Sequence, residues 1–515
     1  MKQHSVTVGI GPVSFEDLEA VARHGAEIII AEDAWAEVRK SREIVEALAD
    51  HPEPHYGVST GFGALATRHI PIERRSQLQR SLIRSHAAGS GPEVEREVVR
   101  ALMLLRISTL ATGRTGIREQ TLRCYVEMLN AGLTPVVYEY GSLGCSGDLA
   151  PLAHCALALM GEGIVRDARG ALMPTSDAFA AAGVAPVTLA EKEGLALING
   201  TDGMLGMLVL AIMDLRRLLR VADITAAMSV EGLLGSDDVF ADDLHALRPH
   251  PGQAASAGNL RRIMAGSEVR ESHRTEACTR VQDAYSLRCA PQVAGAGRDT
   301  ADHAERVALI ELASAIDNPV ITLDGRVESN GNFHGAPLGY VLDFLAIAVA
   351  DLASISERRT DRFLDKSRSG GLNAFLAADP GVDSGHMIAQ YTQAAIVSEL
   401  KRLAVPASVD SIPSSAMQED HVSMGWSAAR KLRRGIDGLT RVLAIELLTA
   451  ARGIELRLPL QPAPATAAVI AALHSAGTPA LGADRWLAPE IDIAVELSAT
   501  GAVVAAAESV TGPLN

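Results

Sequence analysis

Residues Thr201 to Leu234 read TDGMLGMLVLAIMDLRRLLRVADITAAMSVEGLL, and this run sets the fold. Its periodic apolar pattern lasts far longer than a mean globular helix of about 11–12 residues. Comparable runs follow at Ala301–Ile316, Leu338–Phe363, Met387–Leu403 and Ser423–Ile454. Upstream, Glu93–Ala111 carries Val94, Val98, Leu102 and Leu105 on one helical face. Strand-like pieces are few: Ser5–Ile10, Glu27–Ile30, and a hairpin pattern over Val320–Ser329 around Asp324-Gly325. The chain is therefore expected to be mainly α, a bundle of long helices with a smaller mixed N-terminal domain. The expected segments are 1–198 for that N-terminal domain, 199–457 for the bundle and 458–515 for a linker and small C-terminal piece. Leu458–Ala467, with three prolines, reads as the linker.

The 515 residues are 48% hydrophobic and 21% charged, ordinary for a globular protein. A formal net charge of −15 argues against a nucleic-acid partner. The five cysteines are scattered without a Cys-x-x-Cys pair, so neither a disulfide framework nor a zinc site is expected. His51 and His55 have helical ligand spacing, but Pro52 and Pro54 argue against a helix there, and no metal is expected. The most apolar stretch, Met204–Met213, lies between Asp202 and Asp214 and falls short of the ~20 residues a bilayer needs. No signal-peptide core stands at the start, so the expected location is cytoplasmic, with no membrane partner.

A different run carries the chemistry. Gly141-Ser142-Leu143-Gly144-Cys145-Ser146-Gly147-Asp148-Leu149-Ala150-Pro151 is a glycine-rich turn leading into an apolar stretch. Asp148 reads as an N-cap, and Pro151 is tolerated in a first helical turn. The helix dipole and its free N–H groups would then face Cys145-Ser146-Gly147 and leave it electron-poor. As a bare string this is also what a helix-capping turn looks like, so other motifs must decide.

Six further stretches are chemically loaded. Tyr56-Gly57-Val58-Ser59-Thr60-Gly61-Phe62-Gly63 sets a phenol among glycines; unaided it would titrate near ~10, so a basic role needs help. Ser85-His86-Ala87-Ala88-Gly89 ends a helical run that starts at Gln77. In Leu197-Ile198-Asn199-Gly200-Thr201, Thr201 reads as an N-cap and Asn199 offers an amide that donates and accepts. Gln282, Tyr285 and Arg288 of Gln282–Cys289 would share one face of a helix, and arginine's planar fork suits a carboxylate. Phe333 lies in Gly331–Gly335, and Glu419 in Gln418-Glu419-Asp420-His421-Val422-Ser423-Met424. Singly, each has an ordinary structural reading: a packed tyrosine, a satisfied histidine, a solvated acidic pair.

Taken in order from Tyr56 to Met424, with the serine loop, they resemble the histidine and aromatic amino-acid ammonia-lyases. The resemblance implies that Cys145-Ser146-Gly147 cyclises unaided into a methylidene-imidazolone (MIO), the glycine nitrogen attacking the first carbonyl and two waters leaving. No external cofactor is then expected. It also implies roles: Tyr56 takes the substrate's β-proton, Arg288 and Asn199 hold the amino-acid end, Gln282 and Tyr285 line the site, and Phe333 packs on the MIO. Ser85-His86 and Gln418-Glu419 resemble the histidine-directed members, so His86 and Glu419 would read an imidazole. The implied reaction is elimination of ammonia from L-histidine to trans-urocanate, in a homotetramer with shared active sites. Three positions depart from the family pattern: Cys145 for alanine, Asp202 for glutamine and Met417 for asparagine. The alternatives are a tyrosine or phenylalanine lyase or aminomutase, and, in another class, a non-catalytic helical-bundle binding or structural protein.

Overall fold

The computed structural model describes residues 5–49, 57, 59–61, 68–275, 278 and 281–515. Helices dominate, as the periodicity predicts. The opening run is the Asp202–Gly232 helix, and the others form Arg96–Ala111, Ala336–Leu364, Met387–Leu403 and Gly425–Glu455. One boundary differs substantially. The expected 301–316 helix begins at Ala290 and ends at Leu312. Its first turns hold Pro291, Gly295 and Gly297, which read as breakers. Packing explains them: a Cβ on Gly295 would overlap the backbone of Gln253 in the Pro251–Met264 helix. The glycine is there for a close helix–helix approach that local propensity does not register.

Two compact units form, each from discontinuous segments. The first comprises Met1–Leu210, Glu305–Asp343 and Pro406–Arg430, the second Ala211–Ala304, Phe344–Val405 and Lys431–Asn515. In the first unit Ser5–Val8 pairs in parallel with Glu27–Ile30, and Val320–Ile321 pairs with Val327–Glu328 across the expected Asp324-Gly325 turn. Ser90–Glu93 pairs with Tyr138–Tyr140, and Thr134–Pro135, Ile164–Arg166 and Leu172–Pro174 form a small antiparallel sheet. Those strands are too short to alternate visibly, which is why the sequence does not announce them. The unit's core is the Arg96–Ala111 helix, buried continuously from Val98 to Ala111.

The second unit has a polar knot in its core. Glu446 is fully buried and accepts from Thr225, Ser229 and Ser356 at 2.6–2.9 Å and from the guanidinium of Arg359. The region expected as a linker leads directly into the Pro464–Ser475 helix, with Pro464 in its first turn, followed by Ala488–Thr500 and Ala502–Thr511. Among the described residues one helix, Ala336–Leu364, is long and apolar enough to cross a membrane, and the bent pair Ala488–Thr500 and Ala502–Thr511 would be a second if taken as one span, but most of the apolar window of Ala336–Leu364 is buried inside the protein. That is how a core helix behaves.

Candidate active site

Four helix N-termini belong to the first unit's segments around the serine loop. They open the Leu149–Leu159, Asp202–Gly232, Ala336–Leu364 and Gly425–Glu455 helices. Small residues let them meet. A Cβ on Gly335 would lie 2.6 Å from Met204 Sδ and 2.9 Å from Ser423 Oγ. One on Gly144 would overlap the same Ser423 hydroxyl and sit 3.3 Å from Met204 Cε. Each N-terminus carries roughly half a positive charge, so the loop sits in a field that favours an electrophile and anions.

The loop is clamped on both sides. Leu143 O accepts from Met424 N at 2.9 Å, and Gly144 O from the Ser423 hydroxyl at 3.3 Å. Beyond the tripeptide, Gly200 O accepts from Asp148 N at 2.7 Å, and Gly147 forms an isolated bridge with Gly200. Gly147 has φ +79, and a Cβ there would overlap the Gly200 carbonyl. A side-chain-free residue in a left-handed turn, pinned before and after, fits a backbone nitrogen folded back towards a carbonyl two residues earlier. Cys145 and Ser146 are half-buried at the crest.

Asp148 behaves differently from the N-cap expected of it. It occupies the cap position of the Leu149–Leu159 helix, but its side chain makes no bond to that helix. Instead Oδ2 accepts from Met204 N at 2.9 Å, in the first turn of the Asp202–Gly232 helix, and Oδ1 from the Ser142 hydroxyl at 3.1 Å. Thr201, expected to cap that helix, turns its hydroxyl towards Glu311 at 3.5 Å. So Asp148 ties the loop to a neighbouring helix end. Complete burial pushes its carboxyl from 3.8 to about 7, with the bonds from Met204 and Ser142 opposing. A raised acid binds more protons folded than unfolded. Its stability contribution is therefore full below 3.8 and lost as pH rises through about 7. The urea midpoint of Asp148→Asn should accordingly gain on the wild type as pH rises from about 4 to about 7, and the difference should level off above that. A constant difference would contradict the burial argument.

The ring-reading candidates lie close to this loop. His86 ends the Arg75–His86 helix, and its Nδ1 is 2.9 Å from Leu82 O. A carbonyl only accepts, so Nδ1 carries the proton and Nε2 is left as an acceptor. Burial lowers the His86 pKa below its ordinary 6.5, with Leu82 and Glu419 opposing, which keeps the ring neutral at pH 7. Glu419 takes a 2.8 Å bond from the Ser414 hydroxyl, and the two residues exchange backbone bonds. Its carboxylate also acts on Cys145, whose thiol burial first and Glu419 second push up to about 12. That thiol stays protonated and inert at neutral pH. Ser415, Ala416 and Met417, just before Gln418, all hold positive φ. Met417 holds φ +69, a left-handed conformation that strains a methionine in this turn.

Asn199 is buried and donates its amide to Asn318 O at 2.8 Å. Phe333 is half-buried in the turn ahead of the Ala336–Leu364 helix. His86, Cys145, Ser146, Gly147, Asn199, Phe333 and Glu419 thus all belong to the first unit. Gln282, Tyr285 and Arg288 belong to the second, and the single helical face expected of them does not form. The helix there spans only Tyr285–Arg288: Ala284 ahead of it is extended, and the Asp283 carboxylate is engaged with Ser236 N at 2.6 Å. Arg288 and Tyr285 still pair, the guanidinium lying 4.7 Å from the ring centroid, while Gln282 and Tyr285 are exposed. Tyr56, His51 and His55 lie outside the described residues. Among the described residues no group of three potential metal ligands occurs.

The sequence does not single out Ser423 or Arg106, which hold backbone through bonds between segments distant in sequence that no local pattern encodes, nor Ser142, whose hydroxyl bonds within its own loop.

A family model described as aromatic amino acid lyase matches residues 13–475. A relative from Streptomyces avermitilis named histidine ammonia-lyase is 65% identical over 511 residues, covering 99% of this chain and all of that protein. A solved histidine ammonia-lyase from Trypanosoma cruzi shares 37% identity at TM-score 0.90, over 98% of this chain and 96% of that one. A tyrosine aminomutase from Streptomyces globisporus shares 36% at TM-score 0.93, over 99% and 100%.

Proposed function

This chain belongs to the aromatic amino acid lyase family, and we propose that it eliminates ammonia from L-histidine to release trans-urocanate. The observation that carries this reading is the pair of acceptors near the serine loop: neutral His86 with Nε2 free of its own helix, and the Glu419 carboxylate. An imidazole N–H needs such acceptors, whereas a phenyl ring has nothing to offer them.

The fit of Gly147, Asp148 and Gly200 supports an MIO formed from Cys145-Ser146-Gly147. When formed, it supplies an electrophilic carbon that makes the substrate's amine a better leaving group. The chain's own groups do the rest. His86 and Glu419 orient the ring; Asn199 and Arg288 hold the carboxylate; Tyr56 removes the β-proton; Tyr285 and Gln282 line the site. Phe333 packs against the MIO-forming loop. Exposed Tyr285 and Gln282 fit a site completed by other chains, and a homotetramer is the assembly we propose; light scattering showing an active monomer would refute it. A cytoplasmic location, with no nucleic-acid, membrane or external-cofactor partner, accompanies this reading.

The test is a substrate panel. L-Histidine, L-tyrosine and L-phenylalanine are mixed separately with the protein, and the acrylate product is followed in the near ultraviolet. A rise with L-histidine alone is expected. A rise with tyrosine or phenylalanine instead would transfer the reading to a lyase or aminomutase of that substrate. Because the attacking α-amine must be neutral and its pKa lies above neutrality, kcat/KM should increase from neutral to mildly alkaline pH. A flat or acid-favouring profile would contradict it.

A further inference from the structure

Lys192 and Asp317 are both fully buried, with Nζ 2.5 Å from Oδ2. Burial pushes the ammonium down and the carboxyl up, and each group opposes the shift in the other. Stability alone is a poor reason for such a pair, since desolvation commonly cancels the attraction. Its hydrogen bonds lead towards the site. Asp317 Oδ1 accepts from Asn318 N at 2.7 Å. Asn318 O accepts the Asn199 amide at 2.8 Å, while Asn318 Oδ1 accepts from Ser329 Oγ and Asn330 N, both at 3.0 Å. Asn330 donates to Asp317 O at 2.9 Å and accepts from Asn332 N, next to Phe333, at 2.9 Å. Buried Arg106 fixes the two flanks, donating to Asn199 O at 2.5 Å and Ile316 O at 2.9 Å.

We propose that Lys192 and Asp317 are positioning residues for Asn199: the pair fixes the Asp317-Asn318 dipeptide, whose Asn318 carbonyl takes one N–H of the Asn199 amide and so aims the second N–H at the substrate's carboxylate. This rests on the reading of Asn199 as a substrate contact.

The test uses Lys192→Met/Asp317→Leu in the full chain, because buried pairs are often replaced by apolar volume without loss of folding. Intact mass, kcat and KM for L-histidine, and competitive inhibition by imidazole are measured. The expected result is the same two-water deficit from sequence mass as in the wild type, KM raised about tenfold, and an imidazole constant within about twofold. A merely structural role would weaken imidazole too. Adding Asn199→Ala should cost no more than Asn199→Ala alone, since both act through one amide. A wild-type KM, a parallel loss of imidazole binding, or additive losses would each overturn the proposal. If Asn199→Ala itself leaves KM unchanged, the substrate-contact reading fails and the proposal with it. Should the double variant not fold, Lys192→Met alone, with Asp317 free to take up a proton, is judged by the same criteria.

Discussion

Gly147→Ala is expected to abolish maturation, leaving a chain of full mass whose L-histidine turnover is lower by roughly four orders of magnitude, about 5 kcal/mol of barrier. Two independent costs act at this position. At φ +79 an L-residue is strained by about 1–2 kcal/mol. The added Cβ must also displace the Gly200 carbonyl, which accepts from Asp148 N. Moving that carbonyl loosens the contact that holds the loop closed, and the alanine nitrogen is also more hindered. Ser146→Ala is the companion control: it adds no atoms and no backbone strain, yet removes the hydroxyl that must leave. Equal losses in both, with thermal stability lowered only in Gly147→Ala, would separate chemistry from strain. Wild-type activity in either would end the MIO reading.

The second large effect belongs to Glu419. Glu419→Gln keeps an oxygen for the Ser414 hydroxyl and keeps both backbone bonds of the turn, so folding should be unaffected. What disappears is the negative charge shared by His86 and Cys145. A charge-assisted bond to the ring is worth about twice a neutral one. The loss expected in kcat/KM for L-histidine is roughly 100-fold, about 2.7 kcal/mol. The same substitution should bring down the Cys145 pKa, since Glu419 helps raise it. Steady-state kinetics with L-histidine and thiol titration against pH check the two halves separately. Unchanged kinetics would remove Glu419 from the ring site.

Much of this was legible in the chain because periodicity is local. The Asp202–Gly232, Met387–Leu403 and Gly425–Glu455 helices stand in the sequence almost to the residue, since their apolar faces repeat along one segment. The Ala290–Leu312 helix was not, because its glycines answer to Gln253, a partner far away in sequence. The same distinction runs through the site. Ser146, His86 and Glu419 announce themselves by motif, and each motif is a short contiguous string. The supports do not: Asp148 caps a helix other than its own, Ser423 holds Gly144 from 279 residues away, and Arg106 reaches Ile316 across 210. Tyr285 and Arg288 were expected on one longer helix with Gln282. That helix is a single turn, with Ala284 ahead of it extended and Asp283 engaged in a tertiary contact with Ser236.

Everything above rests on Cys145-Ser146-Gly147 closing on itself as the chain folds. Intact-mass measurement on the purified wild-type chain tests it without substrate, assay or assumption about specificity. The expected chain is lighter than its sequence by two waters, with the deficit confined to the peptide containing Cys145-Ser146-Gly147. A chain of full sequence mass, in protein that is folded and otherwise intact, would contradict it.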